Sequence, residues 1–575
     1  MITVPTPSDI PCDVKGKQAW QIPVPANYNH AIKGPHSAAW YASMHRELDS
    51  LIQRNTWTED YIPSGVKAIA TKWVYNVKSS LLFKSRLVAR GDQRPSTNTE
   101  PDSDSPTLSR ISLNTLFAVG QALGWHMHAL DVDCAYLYGD VPDSVKGKVW
   151  LQLPQGMEQT LPHIDGKQVG LNLQHTLYGL RFSGRQWFIK LHSYLIANGF
   201  SPSVVDSCIY WRRTAAGFVA IAVYVDDLAV FSSDANLLTE TKACLTHRFA
   251  MKDMGEISRY LGMEIVRTEE MLTYHVAPYI AELVAQYLPH CHPPVLSPAD
   301  PTVRLSANTK VIPGSDEETY MRNVPYMSLV GSLSYIAVNV RPDIARAVHT
   351  LQRAQAHPTR AHWEAALHVL QYLRSTPTLG PKYTRAAGLV SNLQLQAYVD
   401  ASFAPDWQDN DGVSVSGLII LLAGGPIAWA SHKQRHVAGS TCESEFIALS
   451  ECLNVIEWLR HFLGEQGIVQ DKTKVYEDNQ AAISLATSLS ISANSRHVVV
   501  RYSRVREAVA NDIIDVIYVP THLQLADMLT KIVPIPNFMR QLPFITGHTS
   551  EDVKRSRQSY INDYKGSREK AAISG

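Results

Sequence analysis

The segment GFVAIAVYVDDLAVFSS, Gly217 to Ser233, constrains this chain more than any other. Two apolar, β-prone runs flank a pair of adjacent carboxylates, Asp226 and Asp227. Short apolar runs bounded by turn chemistry read as buried strands. Two of them in tandem read as a hairpin, with the Asp-Asp pair at or beside its turn. Asp is favoured in turns for reasons of its own, so the pair alone is also compatible with an ordinary connection.

A second segment narrows the choice. HMHALDVDCAYLYGD, His126 to Asp140, puts Asp131 at the end of an alternating strand that enters a tight turn. Two adjacent carboxylates plus a third from another strand suit a pair of hard divalent cations, which prefer oxygen ligands. Two such cations about 4 Å apart activate a 3′-hydroxyl and stabilise a departing pyrophosphate during in-line attack. Phosphate chemistry and oxygen ligands make Mg²⁺ the expected ion.

Composition sets the frame around these segments. The 575 residues allow three or four domains. With 45% hydrophobic content and 53 basic against 53 acidic side chains, disorder is excluded as the main state. The longest mostly apolar run, Gly417 to Ala430, falls short of the roughly 20 residues a bilayer needs and is broken by Gly-Gly-Pro. The first residues lack the charged start and apolar core of a signal peptide. Seven scattered cysteines with no Cys-x-x-Cys pair argue for a reducing compartment and against a disulfide framework or structural zinc. Charge is locally uneven: Lys67, Lys72, Lys78, Lys84, Arg86, Arg90 and Arg94 face one acid, Asp92. On charge alone that run reads as a solvated face.

Punctuation divides the chain. Residues 1–36 are rich in Pro and polar residues without periodicity and read as a flexible leader. Dense patterning follows over 37–288. A Pro-rich junction and a helical region, with apolar positions recurring at three and four, occupy 289–390. From 391 to 540 the expected order is strand, hairpin, helix, strand, helix, strand, helix, and 541–575 is a polar tail. In that C-terminal part four acids fall at the ends of elements: Asp400, Glu443, Asp478 and Asp527. Singly, each has a structural explanation as a helix cap or a dipole partner.

Together these landmarks resemble the copia-type retrotransposon Pol polyprotein, in its reverse transcriptase and ribonuclease H portion. Tyr224-Val225-Asp226-Asp227 is similar to the signature box of reverse transcriptases. Around it, in family order, stand Lys72-Trp73-Val74-Tyr75, Arg86-Leu87-Val88-Ala89-Arg90-Gly91, Asp131-Val132, Leu177-Tyr178-Gly179-Leu180, Met251-Lys252-Asp253-Met254-Gly255 and Tyr260-Leu261-Gly262-Met263-Glu264-Ile265. Tyr398-Val399-Asp400-Ala401, Ser431-His432-Lys433-Gln434, Glu443-Ser444-Glu445-Phe446, Glu477-Asp478-Asn479-Gln480 and Gln524-Leu525-Ala526-Asp527 continue the series. The landmarks run from Trp40 to Lys531.

The resemblance implies an α+β and α/β multidomain fold, a right-hand polymerase of fingers, palm and thumb followed by a ribonuclease H-like domain. It implies that Asp131 and Asp226 hold the metals, with Asp227 close behind and the Val132 carbonyl as a further ligand. Lys84 and Arg86 would neutralise an incoming triphosphate, Tyr136 would block a ribose 2′-hydroxyl, and Lys252 would donate a proton to pyrophosphate. Asp400, Glu443, Asp478 and Asp527 would hold two metals that hydrolyse the RNA strand of a hybrid. Implied partners are an RNA template, a DNA primer, an RNA–DNA hybrid and deoxynucleoside triphosphates, with no membrane. The implied location is the cytoplasm, in a virus-like particle, with the nucleus as the alternative. The oligomeric state is not legible.

The substrate shell departs from the family pattern. Phe182 stands where a Gln usually contacts the incoming nucleotide; a ring cannot donate that hydrogen bond, although it can pack on a base or sugar. The hairpin between Trp73 and Leu87 is short, and Ser492 to His497 lacks the family's leading His and first Arg. No Asp-Ser/Thr-Gly protease signature and no His-Cys zinc pattern occurs in the chain, so a polymerase–ribonuclease H portion is expected. The competing expectation is a catalytically impaired, nucleic-acid-binding remnant of the same fold.

Overall fold

The computed structural model describes Val14, Lys17 and residues 19–78, 80–93, 102–289, 292–306, 311–385, 393–405, 412–487, 499–558 and 560–562. Arg94, the Ser492–His497 run, Cys12 and Cys291 lie outside them. The five described cysteines are all free.

The first unit is built on one helix and one hairpin. Helix α1 (Ser37–Gln53) packs on strands β1 (Thr71–Val77) and β2 (Phe83–Ala89). Successive side chains of a strand point to opposite faces. Trp73, Tyr75 and Val77 of β1 and Phe83, Leu87 and Ala89 of β2 therefore turn inward together. Trp40 of α1 sits edge-on to Tyr75 and Phe83, with ring centroids 5.2 and 4.6 Å away. The same alternation puts Lys84 and Arg86 side by side on the opposite face of β2. Where a flexible leader is expected, the described residues are built into this core: Ile22 and Ala31 are buried in it, and Asn27 caps a short helix, Tyr28–Lys33. Pro-rich, aperiodic composition conceals such isolated anchor positions.

The palm is a six-stranded antiparallel sheet. Its elements are α2 (Arg110–Ala122), β3 (His126–Val132), α3 (Ser183–Ala197), β4 (Ser201–Pro202), β5 (Ile209–Thr214), β6 (Gly217–Tyr224), β7 (Asp227–Ser232), α4 (Ala235–Arg248) and β8 (Met251–Glu256). The strand order is β8-β3-β7-β6-β5-β4. Strands β6 and β7 are buried almost throughout because helices cover both faces, which is why their sequence is continuously apolar. A smaller antiparallel sheet follows from β9 (Arg259–Tyr260), β10 (Met263–Arg267) and β11 (Met271–His275). Helix α5 (Ala277–Tyr287) then packs on the helical region, α6 (Tyr326–Asn339), α7 (Ala345–Arg353) and α8 (Arg360–Ser375). There the fully buried Arg341 donates to both carboxylate oxygens of Asp343 at 2.9 and 2.8 Å and to the Thr376 carbonyl at 2.7 Å. A charge pair without solvent is tolerated when its hydrogen bonds are filled in this way.

Strand β12 (Lys382–Thr384) completes the β9–β11 sheet and leads to the C-terminal unit. That unit comprises β13 (Gln396–Ser402), β14 (Val415–Leu422), β15 (Gly425–Lys433), α9 (Thr441–Glu465), β16 (Thr473–Glu477), α10 (Gln480–Thr487), α11 (Val499–Ala510), β17 (Ile514–Tyr518), α12 (Asp527–Thr530) and α13 (Ile535–Thr546). Its sheet order is β15-β14-β13-β16-β17, with the first three strands antiparallel and the last two parallel to β13. This is the strand order of a ribonuclease H fold. The two units share a core rather than a tether. Asn114 donates to the Ile427 carbonyl at 3.1 Å, and the Trp429 indole donates to the Ala337 carbonyl at 2.8 Å.

The polar tail is docked where it is described. Val553 is buried, Arg557 donates to the Leu296 carbonyl at 2.8 Å, and the Tyr560 hydroxyl donates to the His292 carbonyl at 2.7 Å. These contacts tie it to the Pro-rich junction. No helix among the described residues is long and apolar enough to cross a membrane.

Candidate active sites

The hairpin expected from the Asp-Asp segment forms, with β6 ending at Tyr224 and β7 starting at Asp227. Val225 occupies the left-handed region at φ 57°, an uncommon conformation for a β-branched residue. Two hydrogen bonds hold it there. The Trp187 indole of α3 donates to the Val225 carbonyl at 2.7 Å, and the Val132 N–H donates to the Asp226 carbonyl at 2.8 Å.

Register then assembles the charges. Asp227 lies directly opposite Asp131, and Asp131 lies directly opposite Lys252 on β8. Directly opposed residues share a face of the sheet. Burial, then Asp226, raises the Asp131 carboxyl above the usual range. Burial, followed by Asp226 and Asp131, pushes Asp227 up to about 6. Desolvation of carboxylates in a partly dry site is the larger cause, and repulsion between neighbouring carboxylates adds to it. The Tyr260 hydroxyl donates to the Asp227 carbonyl at 3.1 Å and anchors the strand end.

The residues expected to meet a triphosphate surround this strip unevenly. Burial, then Arg86 and Lys78, depresses the Lys84 ammonium, so these three cations are close together. Arg86 stacks over the Tyr178 ring at 4.8 Å. Tyr136 lies half-buried in a single 3₁₀ turn against the same Tyr178, with centroids 5.2 Å apart. Lys78, read from the sequence only as part of a basic run, partly offsets the rise at Asp131 and Asp227 and so belongs to the group. Phe182 does not. Its ring is 3% exposed, inside the fingers core with Leu87, Leu177 and Leu180, at the residue that caps α3.

In the C-terminal unit the compact carboxylate groups are plain. Asp400, Asp478 and Asp527 bring oxygens within 4.8 Å of one another, and so do Glu445, Glu477 and Asp478. Asp400 sits on the central strand, opposite Gly417. A Cβ at Gly417 would lie 2.7 Å from Thr530 and 2.9 Å from Leu529, so only glycine admits α12 here. Thr530 accordingly donates to Asp400, and the Lys531 ammonium lies 2.8 Å from Asp527 and 3.7 Å from Asp400. Burial, then Asp400, pushes Asp527 up to about 7.

Glu443 is not part of either group. It accepts from the Gly439 N–H at 2.7 Å while Ser440 accepts from the Glu443 N–H at 3.2 Å, which makes it a helix cap. Glu445, two positions on, turns inward and accepts from the Ala401 N–H at 2.5 Å. Burial, then Glu477, Asp400 and Asp478, raises its carboxyl far above the usual range. The spacing Ser440-x-x-Glu443 is the signal that assigns Glu443 to the cap and leaves Glu445 for the sheet.

Comparison with known proteins gives the chain's relatives. Residues 54–296 match the family described as reverse transcriptase (RNA-dependent DNA polymerase). The retrovirus-related Pol polyprotein from transposon TNT 1-94 of Nicotiana tabacum is 32% identical over 524 residues, 89% of this chain and 38% of that protein. The corresponding polyprotein from transposon RE1 of Arabidopsis thaliana is 32% identical over 514 residues, 87% of this chain and 33% of that protein. The chain thus spans about a third of the length of these curated relatives. A foamy viral protease-reverse transcriptase solved with double-stranded DNA aligns with 86% of this chain and 72% of its own, at 13% identity and a TM-score of 0.25.

Proposed function

Because this chain is, over most of its length, a homologue of copia-type retrotransposon Pol polyproteins, we propose that it is an RNA-directed DNA polymerase with ribonuclease H activity. It would copy an RNA template from a DNA primer with deoxynucleoside triphosphates, and then cleave the RNA of the hybrid. The observation that carries this reading is the registered strip of Lys252, Asp131 and Asp227 beside the Asp226 turn.

The C-terminal carboxylates fit hard divalent cations by chemistry and by spacing, with oxygens within 4.8 Å of one another, and the palm carboxylates fit them by donor type and strand register. Their donors are all oxygens, burial and then neighbouring carboxylates raise Asp131, Asp227 and Asp527, and in the C-terminal group the Lys531 ammonium already occupies the position of a positive charge. Asp131, Asp226 and Asp227, with the Val132 carbonyl, would hold Mg²⁺ in the palm. Asp400, Glu445, Asp478 and Asp527 would hold it in the second unit. When bound, the ions supply Lewis-acid stabilisation of charge on the reacting phosphate.

The remaining work belongs to the chain itself. Lys78, Lys84 and Arg86 bind the triphosphate, with Arg86 held in place by Tyr178. Tyr136 closes the side of the site where a 2′-hydroxyl would lie. Lys252 holds a proton for the departing pyrophosphate. Cytoplasmic particles and the nucleus are the compartments in which such a protein would act.

Primer extension and hybrid cleavage, measured on the same preparation, test the reading. Asp226→Asn abolishes extension and spares cleavage, and Asp478→Asn does the reverse. Loss of both activities from one substitution in a folded protein overturns the two-site reading. A wild-type protein that binds hybrid but neither extends nor cleaves is the impaired remnant.

A further inference from the structure

The second carboxylate group of the C-terminal unit contains a residue that the proposed reaction does not use. Glu477 ends β16, immediately before Asp478, and has no exposed surface. One of its carboxylate oxygens accepts from the Asn479 N–H at 3.0 Å. The other, Oε2, is buried without any hydrogen-bond partner. An unpartnered carboxyl oxygen in a dry interior is expensive, and native structures seldom leave one without a ligand of some kind.

The surroundings of the two groups differ in one respect. Asp400 and Asp527 are neutralised by Lys531, whose side chain reaches both. Glu445 and Glu477 have no basic partner in an ion pair among the described residues. Glu445 comes from the first turns of α9, while Glu477 and Asp478 come from the end of β16, so two rigid elements fix the three carboxylates. Asp400 and the thiols Cys442 and Cys452 are further titratable neighbours, and none of them supplies positive charge.

We propose that Glu477 is a cation ligand, completing with Glu445 and Asp478 a divalent-cation subsite that shares Asp478 with the Asp400–Asp527 group. The proposal rests on the nuclease reading of this unit and extends it with a fifth carboxylate. An all-oxygen anionic set of this kind takes Mg²⁺ or Mn²⁺ and not a thiophilic metal. The extra negative charge holds the ion more tightly than Glu445 and Asp478 alone would, so hybrid cleavage saturates at lower metal concentration.

Mn²⁺ is the probe, because its binding and its pairing are both visible by electron paramagnetic resonance. The full chain carries Asp131→Asn, Asp226→Asn and Asp227→Asn, so that palm binding does not contribute. The expected result is two Mn²⁺ per chain, spin-coupled through the shared Asp478. Glu477→Gln, which preserves shape, then weakens one ion by about tenfold or more and abolishes the coupling while the other ion stays. Glu477→Asp, which retracts the carboxylate, gives an intermediate loss and serves if the Gln variant does not fold. Two coupled ions with unchanged affinity in folded Glu477→Gln overturn the proposal. One uncoupled ion in both chains also overturns it and leaves the nuclease reading standing. No Mn²⁺ bound by the chain with Glu477 intact overturns both.

Discussion

Asp131 stands directly opposite Lys252 in the antiparallel ladder between β3 and β8. The ammonium is therefore carried on the same face of the palm as the carboxylates, at a distance set by strand pairing rather than by a loop. Lys252 is exposed, so truncating it removes charge without opening the core. Lys252→Met is expected to lower the single-turnover rate of nucleotide incorporation by about 100-fold, within the range of general acid catalysis, while nucleotide affinity stays near wild type. An unchanged rate would leave Lys252 as an ordinary surface cation.

Trp187 governs the same site from behind. Its indole N–H holds the carbonyl of Val225, the residue in the left-handed conformation that aims Asp226. Trp187→Phe keeps most of the buried ring and deletes the donor, leaving a buried carbonyl unpaired at a cost of about 1–3 kcal/mol. Extension is expected to fall by more than tenfold while hybrid cleavage holds, because α3 does not reach the C-terminal unit's carboxylates. Equal loss of both activities would indicate general destabilisation instead.

Asp227 gives a pH signature. Its carboxyl titrates near 3.8 when unperturbed and at about 6 in the fold, so the native state binds the proton more tightly. The associated stability is complete below about pH 4 and is lost as pH rises through about 6. In chelator at pH 7, Asp227→Asn is therefore expected to melt a few degrees above wild type, with the gap closing towards pH 4. Adding Mg²⁺ at pH 7 reverses the order, since only the wild type gains full ligand stabilisation. Melting curves with a gap independent of pH would contradict the assignment.

Phe182 marks where sequence reasoning stopped. The sequence assigns Lys84 and Arg86 to the triphosphate only through the family resemblance; in the fold, strand alternation puts both on one face of β2, because period two is fixed by backbone geometry. Position relative to a family pattern carried no such guarantee. Phe182 sits at a substrate position in sequence and in the fingers core in space. Glu443 and Glu445 differ by two residues, about a 200° rotation on a helix, and the Ser440-x-x-Glu443 spacing, read as a cap, would have told them apart. Phe182→Gln consequently buries an amide rather than restoring a contact. It is expected to cost about 3–5 kcal/mol in denaturant unfolding, and to leave the nucleotide KM unimproved in whatever fraction folds. A lower KM at unchanged stability would put the side chain in the nucleotide site after all.

Gly417 tests how the C-terminal site is built without touching a carboxylate. The Cβ of Gly417→Ala would meet Thr530 at 2.7 Å, Leu529 at 2.9 Å and the Ala526 carbonyl at 3.0 Å. Backbone and short side chains on α12 offer no flexible end to move, so the helix itself must shift by several tenths of an ångström. That helix carries Asp527, and its Thr530 donates to Asp400. The shift pulls Asp527 away from Asp400 and Asp478 while Glu445 and Glu477, held by α9 and β16, stay in place. Hybrid cleavage is expected to drop by about 100-fold or more, and extension to remain near wild type, since α12 lies outside the palm. Mn²⁺ binding separates the two groups: the ion between Asp400 and Asp527 weakens and its neighbour does not. Full cleavage activity in a folded Gly417→Ala protein would mean that α12 tolerates the displacement, and that the Asp400–Asp527 separation is not what the site depends on.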